Sequence, residues 1–155
     1  MQLSTNLEKI AFFGDGHGGI AAYRSLSLYF KKIEILTNDK DIKSLIRSTD
    51  KLVESIEEIE SNLVICAGYK KIISKEFLRK KTVINTHPSL LPKYRGMHSV
   101  AWAILNMEEE LGFSIHLMNE YIDDGDILEQ FKVKYESQTS QEIMKLFDDY
   151  VSNNL

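Results

Sequence analysis

The chain has a single cysteine, Cys66, which excludes an internal disulfide and is typical of a protein from a reducing compartment. It has no apolar run near the ~20 residues that cross a bilayer, and we expect no signal peptide before the first predicted strand. Positive charge is not in excess: the net charge is −4 at pH 7, so no general basic field favours nucleic acid. These absences predict a cytoplasmic protein with neither a membrane nor a nucleic-acid partner.

Internal repeats, linkers and low-complexity tracts are also lacking in the sequence. The content of 43% hydrophobic and 27% charged residues is ordinary for a folded protein, and 155 residues are enough to bury one core. We therefore expect one domain over residues 1–155, with no C-terminal domain after it.

Short apolar segments alternate along the chain with segments of helical spacing, which predicts an α/β protein. We predict strands over 9–13, 33–37, 63–67, 112–118 and 127–135, helices over 20–30, 99–106 and 140–150, and a short helix to Arg79 with Ser74 as its N-cap. The apolar run LVICA at 63–67 is typical of a parallel strand covered on both faces. The charge-rich segment 39–59 predicts one or two surface helices, and we place Trp102 in the core.

A glycine-dense turn follows the first strand. Gly14, Gly16 and Gly19 match the G-x-G-x-x-G fingerprint, and Asp39 lies about 20 residues further on, as a dinucleotide site would require. The start of the next helix could instead hold a phosphate on its backbone N–H groups. A purely structural turn is the third interpretation, and the sequence does not decide among them.

The segment 83–96, VINTHPSLLPKYRG, carries the clearest sign of chemistry. It begins as a strand that Pro88 brings to an end, so Asn85 and His87 lie where open α/β sheets bind ligands. An amide beside an imidazole suits a reaction that develops negative charge on a carbonyl oxygen. A carboxylate brought near the imidazole would orient it and help to move a proton; His116 and Asp123, at other strand ends, are candidates for the same site. The pattern favours acyl transfer without a protein nucleophile, although a histidine in such a loop can also be structural.

Other kinds of site have less support. Ser89 lacks the G-x-S-x-G turn of an activated serine nucleophile. The four histidines have no tight paired spacing, and the single cysteine cannot build a thiolate site. Asp123, Asp124 and Asp126 resemble part of a calcium loop but lack its terminal glutamate. We therefore expect no metal.

The segment VINTHPSLLPKYRG, followed by WAILN, GFSIHLM and IDDGDIL, resembles the folate-dependent formyltransferases, which include the sugar N-formyltransferases, methionyl-tRNA formyltransferase and glycinamide ribonucleotide formyltransferase. The close match covers about residues 62–130. It implies an N-formyltransferase with a three-layer, Rossmann-like α/β fold, in which a mostly parallel sheet carries helices on both faces.

The resemblance also implies roles for individual residues. Asn85, His87 and Asp123 would be catalytic, and the co-substrate would be 10-formyltetrahydrofolate. The residues implied to contact this donor are Gly68, Tyr69, Lys70, Lys71, Ile72, Ile73, Met118, Asn119, Glu120, Tyr121 and Ile122. The residues assigned to the acceptor are Gly14, Gly16, His17, Ser89, Lys93, Arg95 and His116.

The acceptor implied by the resemblance is a primary amine, and the motifs look most like enzymes that formylate an amino sugar on a nucleotide carrier. Tyr121 and Asp124 depart from the family pattern, and the segment before Asn85 is shorter than usual, which predicts a reduced strand–helix unit. Glycinamide ribonucleotide as acceptor, and hydrolysis of the donor, remain alternatives. So do a dinucleotide-binding module and an inactive ligand-binding fold, and a homodimer is left open.

Overall fold

The structure is a computed structural model that describes residues 9–155. Its strands are β1 (Lys9–Gly14), β2 (Lys32–Leu36), β3 (Lys51–Leu52), β4 (Leu63–Ala67), β5 (Thr82–His87), β6 (Glu110–Leu117) and β7 (Ile127–Lys134). Its α-helices are α1 (Gly16–Tyr29), α2 (Lys40–Leu45), α3 (Lys75–Lys80), α4 (Ser99–Leu105) and α5 (Ser140–Asn154), and a 3₁₀ turn covers Ile56–Glu58. No helix within residues 9–155 combines the length and the apolar character that a membrane crossing requires.

The strands form one sheet in the order β3-β2-β1-β4-β5-β6-β7. The first five strands in this order pair in parallel, whereas β6 and β7 run antiparallel to their neighbours. The strand order reverses beside β1, so the loops after β1, β4 and β5 meet at one edge of the sheet. The predicted fold class, mostly parallel with a three-layer Rossmann-like arrangement, is confirmed.

Alternate residues of β1 enter two separate cores, one on each face of the sheet. Ile10 and Phe12 pack with buried residues of α1 and α5, while Ala11 and Phe13 pack in a second cluster with Phe77 of α3. Because both faces of the central strands are covered, these strands are continuous apolar runs without polar alternation.

The prediction for residues 39–59 is wrong in its extent. Only α2 is an α-helix there, and β3 and the 3₁₀ turn follow it. Arg47 donates to the carbonyl oxygens of Ser27 and Phe30 at the end of α1, and Asp50 accepts from the backbone N–H of Ile33 in β2. These tertiary hydrogen bonds hold the chain against α1 and β2, which overrides its helical propensity. The two-residue β3 and the single turn after it agree with the reduced unit expected before Asn85.

The prediction that Trp102 lies in the core is also wrong, since Trp102 is 55% exposed. Helix α4 buries Val100 and Ala103, which are three residues apart and therefore share one face. Trp102 lies between them in sequence and so projects from another side of the helix.

Buried Glu34 in β2 generates a prediction about stability. Its carboxylate is fully buried, and it accepts from Lys9 and from the backbone and hydroxyl of Ser61. Burial raises the pKa of Glu34, but the hydrogen bonds from Lys9 and Ser61 outweigh it and hold the pKa below its ordinary value. We expect Glu34→Gln to lower the free energy of unfolding at pH 7 by about 1–3 kcal/mol, because it removes a charged partner of Lys9.

This loss should depend on pH in a defined direction. A carboxyl group with a lowered folded-state pKa stabilises the protein above its unfolded-state pKa, and that contribution disappears as the pH falls through the folded-state pKa. Urea unfolding at pH 7 and at successively lower pH should show the difference between wild type and Glu34→Gln shrinking. The exposed Glu57→Gln serves as the control, and a difference that stays constant with pH would contradict the assignment.

Candidate active site

Three chain segments bring polar side chains together at the carboxyl end of β5. Asn85 and His87 are two residues apart near the end of this strand, so their side chains lie on the same face of the sheet. Antiparallel pairing places His116 of β6 directly beside Asn85. Asp123 comes from the turn between β6 and β7, where its backbone adopts a left-handed conformation with φ of 47°. The structure therefore brings the predicted amide, two imidazoles and carboxylate into contact.

The Asp123 carboxylate is the centre of this cluster. One oxygen, Oδ2, accepts from the backbone N–H of Gly96 at 2.8 Å and lies 3.3 Å from His87 Nδ1. The other oxygen, Oδ1, lies 3.4 Å from Asn85 Nδ2 and 3.6 Å from His116 Nε2. The Asp123 side chain is only 13% exposed, so these contacts replace most of its hydration.

Burial alone would raise the pKa of the Asp123 carboxyl. The contact with His116, the Gly96 N–H donor and the nearby His87 ring act in the opposite direction and hold the pKa of Asp123 below its ordinary value. The group is therefore a carboxylate at neutral pH, and it can accept or stabilise a proton at the end of β5.

The partners of His116 define its hydrogen-bonding state. Nδ1 lies 2.9 Å from the Leu117 carbonyl oxygen, which can only accept, so Nδ1 carries a hydrogen. Nε2 faces both Asn85 Nδ2 at 3.2 Å and Asp123 Oδ1 at 3.6 Å. In the neutral ring it accepts from the Asn85 amide, and when it carries a hydrogen it donates to the Asp123 carboxylate. His116 is 1% exposed, and its ring orients the Asn85 amide rather than lining an open surface.

The partners of His87 favour a ring with hydrogen on both nitrogens. Nε2 lies 2.9 Å from the Tyr94 carbonyl oxygen and must donate to it. Nδ1 faces the Asp123 carboxylate, and only an N–H there gives a favourable contact. The cluster can therefore hold a proton between His87 and Asp123. Tyr94 also has a left-handed backbone, with φ of 57°, so the loop conformation that presents this carbonyl is itself constrained.

The two segments assigned to the donor lie beside this cluster. Ile73 and Met118 belong to one apolar group with Val83, two residues before Asn85. Lys75 and Arg79 of α3 both pair with Glu120, at 3.2 and 3.6 Å, which ties the turn after β6 to the helix after the 68–73 loop. Ile72, Tyr121 and Ile122, from these two segments, are all more than 60% exposed. The flat face of a ring system bound there would cover these side chains, so the residues present fit a reduced pterin.

The glycine turn at the start of α1 already holds an anion of its own. Asp39 accepts from the backbone N–H of Gly16 at 2.8 Å and also caps α2, and these hydrogen bonds lower the pKa of Asp39. The neighbouring Asp15 accepts from Thr37 and from the Asn38 backbone. Two carboxylates at this helix start disfavour a bound phosphate, which favours the structural interpretation of the turn. Gly14 is buried within β1 and His17 is exposed.

The remaining residues assigned to the acceptor are already engaged within the protein. Ser89 is 3% exposed and donates to the Lys93 carbonyl oxygen. Lys93 pairs with Glu108, and Arg95 pairs with Asp124 at 2.6 Å. An acceptor would therefore have to displace one of these ion pairs to use Lys93 or Arg95.

The sequence does not reveal two groups that complete the site, the Tyr94 carbonyl oxygen and the Gly96 N–H. Both are backbone groups, so no side-chain pattern marks them. Their only sequence signal is their position in the KYRG segment, where a glycine with φ of 81° follows two basic residues. Within residues 9–155, no group of three or more histidine, cysteine, aspartate or glutamate side chains could hold a metal ion.

A family model described as formyl transferase matches residues 22–152. The chain belongs to the formyl transferase family. The GDP-perosamine N-formyltransferase of Brucella melitensis is 42% identical over 91 residues, which cover 57% of this chain and 35% of that protein. The chain spans about a third of the length of the curated relatives it matches.

Solved structures of the same fold include glycinamide ribonucleotide transformylase 1 from Symbiobacterium toebii, with a TM-score of 0.79 and 17% identity over 99% of this chain and 87% of that one. A formyltetrahydrofolate deformylase from Pseudomonas syringae has a TM-score of 0.73 and 20% identity over 93% of this chain and 57% of that one. At these identities the likeness concerns the fold. The predicted family is confirmed, and in this chain the polar cluster lies at the end of β5.

Gly68, at the start of the 68–73 loop, generates a second prediction. Its φ is 67°, and a Cβ added there would lie 2.3 Å from the Asp15 carbonyl oxygen, which is backbone and cannot move aside easily. Gly16 has a similar φ of 68° but open space around it. We expect Gly68→Ala to lower the free energy of unfolding by about 2–4 kcal/mol, and Gly16→Ala by about 1 kcal/mol, because only the former adds a clash to the backbone strain. Equal losses in urea unfolding would show that the close approach at Gly68 is not maintained.

Proposed function

We propose that this domain transfers a formyl group from 10-formyltetrahydrofolate to a primary amine, as an N-formyltransferase. The observation that carries the proposal is the convergence of Asn85, His87 and Asp123, with both Asp123 oxygens in use and a proton held towards His87. These groups suit attack of an amine on a formyl carbon, in which negative charge develops on oxygen and a proton leaves nitrogen.

Each residue has a role that follows from its contacts. The 3.4 Å contact from Asn85 Nδ2 to Asp123 is the longest hydrogen bond of the cluster, so an incoming carbonyl oxygen can replace it most easily. Asn85 then donates to the developing oxyanion, while His116 keeps the amide in position from behind. The Asp123 carboxylate takes up the proton that the amine loses, while the hydrogen on His87 Nδ1 keeps this carboxylate oriented. When the tetrahedral intermediate collapses, the bond from the formyl carbon to the nitrogen of tetrahydrofolate breaks, and the proton passes to that leaving nitrogen. One preorganised donor of this kind contributes roughly 10²–10³ in rate.

The donor would lie against the 68–73 loop and the 119–122 turn. Exposed apolar side chains on both segments and the tie between α3 and Glu120 support this position. When bound, the donor supplies the activated formyl group. The protein supplies the apolar wall and the charged cluster next to it.

The acceptor that we favour is an amino sugar carried on a nucleotide. The support is the sequence likeness to the GDP-perosamine N-formyltransferase. The carboxylates of Asp15 and Asp39 disfavour a phosphate at the start of α1 for any of these acceptors, so the phosphates of a nucleotide carrier would lie elsewhere. Glycinamide ribonucleotide and water remain the competing acceptors, and the fold alone suits all three.

The catalytic roles predict a specific non-additivity. We expect His87→Ala and Asp123→Asn each to lower kcat for formyl transfer by about 10²–10³, and the double variant to be little worse than either single one, because the two groups act as a unit. Asp126→Asn makes the same charge change at an exposed position in the same turn and should keep wild-type turnover. Thermal unfolding checks that each variant folds; multiplicative losses in the double variant would contradict a shared proton.

The acceptor is tested by a formylation screen. Wild-type protein and 10-formyltetrahydrofolate are incubated with nucleotide-linked amino sugars, with glycinamide ribonucleotide or with buffer alone, and formylated product and free formate are measured. We expect product only with an amino sugar. Formate release in buffer alone would identify a hydrolase, and product with glycinamide ribonucleotide alone would overturn the amino-sugar assignment.

Calorimetry with a folate analogue and with NAD tests whether the chain is instead a dinucleotide-binding module. We expect the folate analogue to bind and NAD not to bind, and the opposite result would indicate the dinucleotide-binding module.

A further inference from the structure

One row of side chains crosses the sheet from the candidate catalytic histidine to the outer strand. His87 of β5 is paired in register with Ser114 of β6, and Ser114 is paired with Gln130 of β7. Neighbours in register share a face of the sheet. Strand β7 lies at the end of the strand order, so Gln130 is at the far end of this row from the site.

The loop after His87 folds back over this row and is held by it. The backbone N–H of Leu91 donates to Ser114 Oγ at 3.1 Å, and the Leu91 carbonyl oxygen accepts from Gln130 Nε2 at 2.9 Å. Both backbone groups of one loop residue are thus satisfied by side chains of other strands. Such hydrogen bonds fix the path of a loop that has no regular secondary structure of its own.

Gln130 also determines the direction of the Ser114 hydroxyl. Gln130 Nε2 donates to Ser114 Oγ at 3.0 Å, and Leu91 N–H donates to the same oxygen. Both acceptor positions of the hydroxyl are therefore filled, and its single hydrogen is directed to the Ser89 carbonyl oxygen at 2.6 Å. Ser114 is fully buried, so water cannot replace a lost partner without a change in packing.

The loop over residues 88–94, which Ser114 and Gln130 hold in place, also fixes the orientation of the His87 ring. Ser89 N–H donates to the His87 carbonyl oxygen, and Ser89 Oγ donates to the Lys93 carbonyl oxygen at 2.7 Å. The next residue, Tyr94, presents the carbonyl oxygen to which His87 Nε2 donates. A shift of Leu91 and Ser89 therefore moves the acceptor that fixes the ring of His87.

We propose that Gln130 is a positioning residue, which fixes the His87 imidazole through Ser114, Leu91 and the 88–94 loop without touching a substrate. The effect on turnover rests on the proposed function, whereas the effect on the His87 ring does not. Through Gln130, the outer strand β7 therefore affects the position of His87, although the hydrogen bonds of Gln130 go to Ser114 and Leu91.

The test compares Gln130→Met with Lys132→Met. The first keeps the length of the side chain and removes both donated hydrogen bonds. The second changes a residue on the same strand as Gln130 and removes the exposed ion pair between Lys132 and Glu110 of β6. We expect Gln130→Met to lower kcat about 10-fold with KM for both substrates within about twofold, because a misplaced group costs rate rather than binding. Lys132→Met should leave kcat and KM unchanged, and Gln130→Lys, which can donate again, should restore most of kcat.

Imidazole ¹⁵N and N–H resonances of His87, assigned with the His87→Ala variant, provide the readout in the free protein. They should shift in Gln130→Met and keep their wild-type positions in Lys132→Met. Gln130→Glu, which keeps the side-chain shape but places an acceptor against the Leu91 carbonyl oxygen, should shift them as well and replaces Gln130→Met if that variant does not fold. Unshifted resonances in the folded variant overturn the proposal. Absence of formyl transfer by the wild type overturns the proposed function alone, since the resonances still decide the role of Gln130.

Discussion

The site depends on the Asp123 carboxylate and its contacts with two strands and a loop. One of its oxygens faces the side chains of Asn85 and His116, and the other accepts from Gly96 and faces His87. A carboxylate that is largely removed from water must recover its lost hydration from such partners. This requirement fixes the turn after β6 against the end of β5, and it explains why Asp123 keeps a left-handed backbone that is unfavourable for a residue with a Cβ.

A second consequence of the same contacts is that the two histidines have different roles. His116 is buried, and its two ring nitrogens contact the Leu117 carbonyl oxygen and the Asn85 amide, so it positions Asn85. His87 has the carboxylate on one side and a loop carbonyl oxygen on the other, so it can hold charge. The sheet places them on adjacent antiparallel strands, and their different hydrogen-bond partners give them different roles. The sheet of this chain thus combines five parallel strands with two antiparallel strands at one side, and the candidate site lies where the two kinds of strand meet.

Much of this arrangement could be predicted from the sequence where local signals and tertiary context agree. The apolar run at Leu63–Ala67 matches β4, and the Ser74 hydroxyl caps α3 by accepting from Phe77, as its position before the helix predicts. The choice of Asp123 depended on the family pattern, since spacing alone does not bring residues from separate loops together. The sequence does not predict features that depend on contacts between distant residues. The hydrogen bonds of Arg47 and Asp50 prevent a second helix after α2. The Tyr94 carbonyl oxygen reaches His87 only because the loop after β5 folds back.

The carboxylate of Asp39 on the N–H of Gly16 has a further consequence for how the fold can evolve. If a ligand had to neutralise the partial positive charge at a helix N-terminus, the stability of that region would depend on the concentration of the ligand. Here the counter-charge is built into the chain at a constant local concentration, so the first crossover is complete without any small molecule. Substitutions at the ends of β4 and β5, where the candidate site lies, leave this counter-charge in place, so the amino-terminal half of the sheet keeps its stability.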